Sequence, residues 1–221
     1  MKIRRTCTSV LAALALCCAP VFSSSLAAGL SGTYSVSGTN PDGTRYSTDL
    51  EVSRTGETYR FVWGGASSGN TVGVGVALGA QVVVAYGAAA CGAVAYKVGR
   101  NGDLDGLWAT RGSALGSEYA SGAGPYAVAG RNPDRSRYNG TLKVYTVGPA
   151  YSLEWLIGGS RYVGLGLRQA DVLGITYGSD SCGVAVYTVS EDGTLNGDWT
   201  AFDGFDRGGK QGAGTETARP R

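Results

Sequence analysis

The chain has 221 residues, a formal net charge of +2 at neutral pH and no histidine. The absence of histidine excludes nucleophiles activated by a histidine, metal sites of the HExxH type and a histidine general acid or base. Glycine is abundant, at 37 residues, but with only 6 prolines and no three-residue period the composition excludes a collagen-like chain.

The first 28 residues have the pattern of a secretory signal peptide. Lys2, Arg4 and Arg5 precede an apolar stretch at 10–22, and small residues at 25–28 form a cleavage region. This order predicts that residues 1–28 are removed on export, to the periplasm or to the medium.

The charge of the remaining chain is nearly balanced, because 16 basic residues face 17 acidic ones once the three basic residues of the leader are removed. A near-neutral chain gives no reason to expect binding of nucleic acid or of an anionic membrane surface. No later apolar run is long enough to cross a membrane as a helix. We therefore expect an unknown protein or a small ligand as the partner, and the sequence leaves the oligomeric state open.

The chain after the leader contains an internal repeat. The segment 32–110 recurs as 124–201, and all four tryptophans fall into equivalent pairs. Because a duplicated unit carries its own folding information, we expect each copy to form a unit. The predicted organisation is a signal peptide at 1–28, a first β repeat at 29–119, a linker at 120–123, a second β repeat at 124–203 and a flexible tail at 204–221.

Alternation of apolar and polar residues predicts about seven short strands in each copy. In the first copy the strands include segments at about 49–53, 59–63, 72–76, 82–86, 93–98 and 104–108. Segment 72–76 alternates valine with glycine, and segment 163–167 of the second copy alternates valine or leucine with glycine. One face of each strand therefore carries no side chains, and we expect Trp63 and Trp155, or their neighbours, to pack there.

These strands predict an all-β protein of two tandem antiparallel meander units, each a small barrel or sandwich with the general shape of a lipocalin or an avidin. Two arrangements remain open. The copies form separate small barrels, or they form two half-sheets that share one core. The flexible composition of 120–124 favours separate barrels.

Cys91 and Cys182 occupy equivalent positions and are the only cysteines after the leader. In an exported chain they could form a disulfide that joins the copies across a pseudo-twofold axis. They could also be two separate buried thiols, each packed as a small apolar residue. The sequence does not decide between these alternatives.

Aromatic residues recur at matching positions in both copies and invite comparison with small-molecule sites, although core packing is the commoner role of such residues. The residues that we select as ligand-binding candidates are Trp63, Trp108, Trp155, Trp199, Tyr34 and Tyr126.

Carboxylate pairs suited to acid–base chemistry are weakly indicated. Asp49 and Glu51 lie on the expected solvent face of a strand, and the Asp103–Asp105 pair is not kept in the second copy, where Asn196 replaces Asp105. The Asx-Gly segments near 101 and 192 are typical of hairpin turns and lack the ligands of a calcium loop. We therefore predict no catalytic residue, no metal and no cofactor.

Three segments carry a resemblance to a known group of proteins: 32–43, 182–187 and 192–199. Their pattern resembles a family of small exported bacterial β-repeat proteins, mostly uncharacterised, some of which are labelled fibronectin-binding. The resemblance implies an exported, non-enzymatic binding module that contacts a macromolecular partner through its loops, for example an extracellular-matrix protein such as fibronectin. The alternative is a small-ligand carrier with an aromatic-lined β-barrel interior. A weak envelope hydrolase is a third possibility.

Overall fold

A computed structural model describes residues 29–64, 70–112, 114–202 and 212–221, so the predicted signal peptide lies outside the described part of the chain. The described residues form β1 (Gly32–Thr39), β2 (Arg45–Thr55), β3 (Thr58–Trp63), β4 (Thr71–Leu78), β5 (Gln81–Tyr86), β6 (Gly92–Val98), β7 (Leu104–Ala109), β8 (Gly116–Ser121), β9 (Tyr126–Arg131), β10 (Arg137–Val147), β11 (Ala150–Ile157), β12 (Ser160–Gln169), β13 (Val172–Tyr177), β14 (Gly183–Val189), β15 (Leu195–Ala201) and β16 (Gly214–Pro220). Among these residues there is no helix that is long and apolar enough to cross a membrane.

The strands close into two antiparallel barrels of eight strands each, which confirms the all-β prediction. Barrel 2 is the uninterrupted meander β6–β13, in which β13 returns to pair with β6. Barrel 1 consists of β1–β5 and β14–β16, with β5 paired to β14 and β16 paired to β1. Each barrel has its own interior cluster of buried residues, so the two barrels do not share a single core.

Neither barrel is made from one repeat, and the expectation that each copy forms its own unit is wrong. Barrel 1 takes five strands from the first copy and three from the second, and barrel 2 takes the complementary set. The physical reason is that equivalent strands offer equivalent partners. Tyr86 of β5 pairs with Gly183 of β14, while Tyr177 of β13 pairs with Gly92 of β6, and both pairings join one copy to the other. Because Gly92 and Gly183 are equivalent positions, pairing within one copy would place the same residue types opposite each other.

Two predicted boundaries are corrected by the strands. The predicted linker, 120–123, begins with the last two residues of β8 and continues into a turn that joins β8 to β9 within barrel 2. The predicted flexible tail contains β16, which closes barrel 1 between β15 and β1. Strand pairing uses backbone groups, so a segment poor in large apolar residues can still form a strand. The rest of that tail, 204–211, lies outside the described residues.

A third apolar cluster packs the two barrels against each other. It includes Val83 and Ala85 of β5, Leu165 of β12 and Val186 of β14. On β5 these two residues alternate with Val82 and Val84, which point into barrel 1. A strand covered on both faces has a nearly continuous apolar sequence, as β5 has.

The chain crosses between the barrels twice, at 87–91 and at 178–182, and the disulfide Cys91–Cys182 joins the two crossings, with its Cα atoms 5.6 Å apart. Of the two alternatives for the cysteines, the structure contains the bond. The crossings run so close together that a Cβ atom at Gly87 would lie 2.2 Å from the carbonyl oxygen of Ser181, and Gly87 has a φ of +115°. Glycine is therefore required here.

Candidate functional site

Strand faces that carry only glycine leave room for aromatic rings in each barrel interior. A Cβ atom at Gly73 would lie 3.1 Å from the Trp63 ring, and one at Gly164 would lie 2.7 Å from the Trp155 ring. The predicted packing of these tryptophans against the Val-Gly and Leu-Gly strands is confirmed. Because the indoles approach the glycines of neighbouring strands this closely, their positions are set by the strands rather than by loops.

A buried glutamate lies among these rings in barrel 2. Glu118 of β8 is 6% exposed. Its Oε1 atom accepts a hydrogen bond from Trp155 Nε1 at 2.9 Å and another from the Tyr96 hydroxyl, while Oε2 accepts one from the Tyr138 hydroxyl at 2.8 Å. All three donors are neutral, and the three bonds to one carboxylate are of the strong, charge-assisted kind.

Barrel 1 repeats the same network around Glu216 of β16, which is also 6% exposed. Trp63 Nε1 donates to Oε1 at 3.0 Å, the Tyr187 hydroxyl donates to Oε1 at 2.5 Å and the Tyr46 hydroxyl donates to Oε2 at 2.8 Å. In each barrel the glutamate and one tyrosine come from one copy, whereas the tryptophan and the other tyrosine come from the other copy. In this structure, the strand exchange therefore completes each network.

Each network lies in the wall of a cavity, with a volume of about 260 Å³ in barrel 2 and about 290 Å³ in barrel 1. The residues shared by both linings are two tryptophans, two tyrosines and the glutamate. They are Trp108, Trp155, Tyr138, Tyr177 and Glu118 in barrel 2, and Trp63, Trp199, Tyr46, Tyr86 and Glu216 in barrel 1. Among the described residues, neither lining includes a lysine or an arginine.

Of the six ligand-binding candidates, the structure brings the four tryptophans to the cavities and leaves the two tyrosines away from them. Tyr34 is buried in the interior of barrel 1, where its hydroxyl donates to the carbonyl oxygen of Leu30 at 2.8 Å. Tyr126 packs against the interior cluster of barrel 2. Both tyrosines act as core residues, which the repeat pattern alone could not separate from cavity residues.

The two glutamates were not among the residues predicted from the sequence, although a signal for them exists. Gly116–Ala120 reads GSEYA and Gly214–Ala218 reads GTETA, so the glutamate has a counterpart after a matching glycine. The counterpart was hidden because the second copy carries an extra glycine-rich segment ahead of it. The repeat consequently appeared to end one strand early.

A comparison with protein-family models, with curated proteins and with solved structures finds no match to this chain. The site must therefore be interpreted from its own residues. Among the described residues no group of three or more histidine, cysteine or acidic side chains is placed to hold a metal ion.

The two cavities differ at their margins. Tyr162 of β12 lines the cavity of barrel 2 and pairs with Trp155, whereas Thr71 of β4 lines the cavity of barrel 1 and pairs with Trp63. Barrel 1 also presents Thr48. The described lining of each cavity contains five aromatic side chains, and that of barrel 1 is richer in hydroxyl groups.

The buried tyrosines make the fold sensitive to alkali. Burial, and then the charge of the neighbouring glutamate, raises the pKa of Tyr96 and of Tyr187 well above 10.0, and the same causes raise the pKa of Tyr177 to about 12. Below pH 10 these phenols are protonated in both the folded and the unfolded chain. Above it the unfolded chain loses protons that the folded chain keeps, so the free energy of unfolding falls as pH rises.

We expect a titration of tyrosinate absorbance to show two groups among the 13 tyrosines. The buried group, which includes Tyr96 and Tyr187, ionises only as circular dichroism reports loss of the fold. Each fully buried tyrosine contributes a loss of up to about 1.4 kcal/mol per pH unit above its unfolded pKa. A single ionisation step near pH 10 with the fold intact would contradict this.

Proposed function

We propose that the protein binds small ligands, one in the cavity of each barrel. The observation that carries this proposal is the pair of equivalent cavities, each lined by two tryptophans and a buried glutamate that accepts three hydrogen bonds. Aromatic-lined concave sites with a few convergent polar groups are the usual form of small-molecule sites. The small-ligand alternative from the sequence is therefore preferred to the loop-mediated one.

The hydrogen-bond networks support binding because they hold the cavity walls in place. Trp155 and Tyr138 are each tied to Glu118, and the corresponding pair in barrel 1 is tied to Glu216. A ligand that enters such a cavity does not have to order these side chains, and a preorganised site loses less entropy on binding.

Contact with a macromolecular partner through the loops, for example an extracellular-matrix protein such as fibronectin, stays a prediction from the sequence. Export to the periplasm or the medium and the lack of enzymatic activity also stay predictions. The segment 66–70 differs from its counterpart 158–161 and is a candidate for such contact, and its residues 66–69 lie outside the described part of the chain.

The first test is native mass spectrometry of the protein purified from its own host, compared with the denatured mass. We expect a removable adduct of defined mass, with up to two copies per chain. A second readout is available because all four tryptophans line the two cavities, so their fluorescence reports occupancy directly. The proposal fails if no adduct is found and no member of a panel of neutral, anionic and cationic small molecules changes the fluorescence.

A further inference from the structure

We infer that the ligand of both cavities is a compact methylated ammonium cation. This inference rests on the proposed function and adds the chemical class of the ligand. It starts from the charge of the sites. Each cavity contains one carboxylate, and among the described residues neither Glu118 nor Glu216 forms an ion pair.

Each of these carboxylates is only 6% exposed. Burial of a carboxylate without a cation nearby is costly, and hydrogen bonds to neutral donors offset only part of that cost. A ligand that brings a positive charge into the cavity supplies the missing counter-charge. An anionic ligand would meet an unscreened negative charge in a site that has no lysine or arginine in its described lining.

The acceptor capacity of the glutamate limits what else the ligand can be. The carboxylate has about four acceptor directions, and three are used by the protein, two on Oε1 and one on Oε2. One direction on Oε2 remains. The glutamate can accept from only one of the three N–H groups of a primary ammonium, whereas a fully methylated ammonium needs no acceptor.

The walls favour the same class. Trp155 and Tyr138 use their polar atoms on Glu118, so ring carbon is what remains of these side chains to contact a ligand. Trp108 and Tyr177 complete the aromatic lining of barrel 2. Ring faces attract cations, and aromatic cages are the established way for proteins to hold quaternary ammonium groups. Cavities of about 260 and 290 Å³ suit a compact head group rather than a drug-sized molecule.

The test is isothermal titration of the full chain with choline and with its neutral isostere 3,3-dimethylbutan-1-ol, in which carbon replaces the charged nitrogen. We expect choline to bind at two sites per chain, and the isostere to bind at least roughly tenfold more weakly because it loses the charge and cation–π terms. This comparison needs no variant, so it does not depend on whether a variant folds.

Matched variants assign the two sites. Glu118→Gln keeps the size of the side chain and removes its charge, so we expect choline binding at one site to be lost while the other remains. Glu216→Gln gives the reciprocal loss, and each variant is the control for the other. Tyr162→Thr weakens the barrel 2 site by roughly threefold to tenfold, and Thr71→Tyr strengthens the barrel 1 site by a similar factor.

The same measurements can overturn the inference in several ways. If the isostere binds as tightly as choline, or if both glutamine variants bind choline normally, the charge of the glutamates does not select the ligand. If choline does not bind but a neutral or anionic probe changes the tryptophan fluorescence, the ligand class is wrong and the proposed function stands. If no probe of any charge binds, the proposed function fails together with the inference.

Discussion

Replacement of Glu118 by leucine lowers the free energy of unfolding by about 3 kcal/mol, because the side chain keeps a similar volume but leaves two phenols and one indole without their acceptor. Trp155 and Tyr96 are buried in the interior of barrel 2, and Tyr138 is partly buried against it. Each buried donor that loses its partner costs about 1–3 kcal/mol, and cavity water recovers part of the sum. Urea unfolding followed by tryptophan fluorescence measures the loss.

Glu118→Gln is the matched control. Glutamine keeps an acceptor oxygen and adds donors that the tyrosine hydroxyls can accept, so we expect a smaller loss of about 1 kcal/mol. Glu216→Leu in barrel 1 should behave as Glu118→Leu does, because its network has the same donors. If leucine and glutamine at position 118 have equal stability, the network contributes nothing specific and the carboxylate is not held by these bonds.

Removal of the disulfide by Cys91→Ala with Cys182→Ala lowers the free energy of unfolding by about 4 kcal/mol, chiefly because the unfolded chain regains freedom. The two cysteines are separated by 91 residues, so the bond closes a long loop that spans all of barrel 2. Both side chains are fully buried, and alanine fits the space without adding a polar atom. Denaturant midpoints of the oxidised, reduced and doubly substituted protein measure the effect.

The folded structure should remain when the bond is absent, because the two crossings also pack on the apolar cluster between the barrels. Circular dichroism and tryptophan fluorescence of the reduced protein in the absence of denaturant are the control. Equal midpoints for the oxidised and reduced forms would show that the bond adds nothing to the stability of the exchanged barrels.

Much of the fold could be predicted from the sequence because it depends on local patterns. Alternation placed six of the strands of each copy, and the glycine-bare faces of β4 and β12 indicated where Trp63 and Trp155 would pack. The single cysteine of each copy allowed a bond between equivalent positions. The tryptophans of the candidate site were found because duplication preserved them. In each case the determining residues lie close together in the chain or recur at a constant spacing.

The tertiary structure alone decided which strands close which barrel. In a duplicated chain β5 meets equivalent partners in β6 and β14, so the local pattern has no preference between them. The packing of the barrels and the path of the crossings make that choice. The same exchange places Glu118 beside Trp155 and Glu216 beside Trp63, across long separations in sequence. The sequence of an alternating strand does not show that a glutamate is buried, because barrel closure defines which face is inside. The position of the glutamate in each site therefore depended on the tertiary structure.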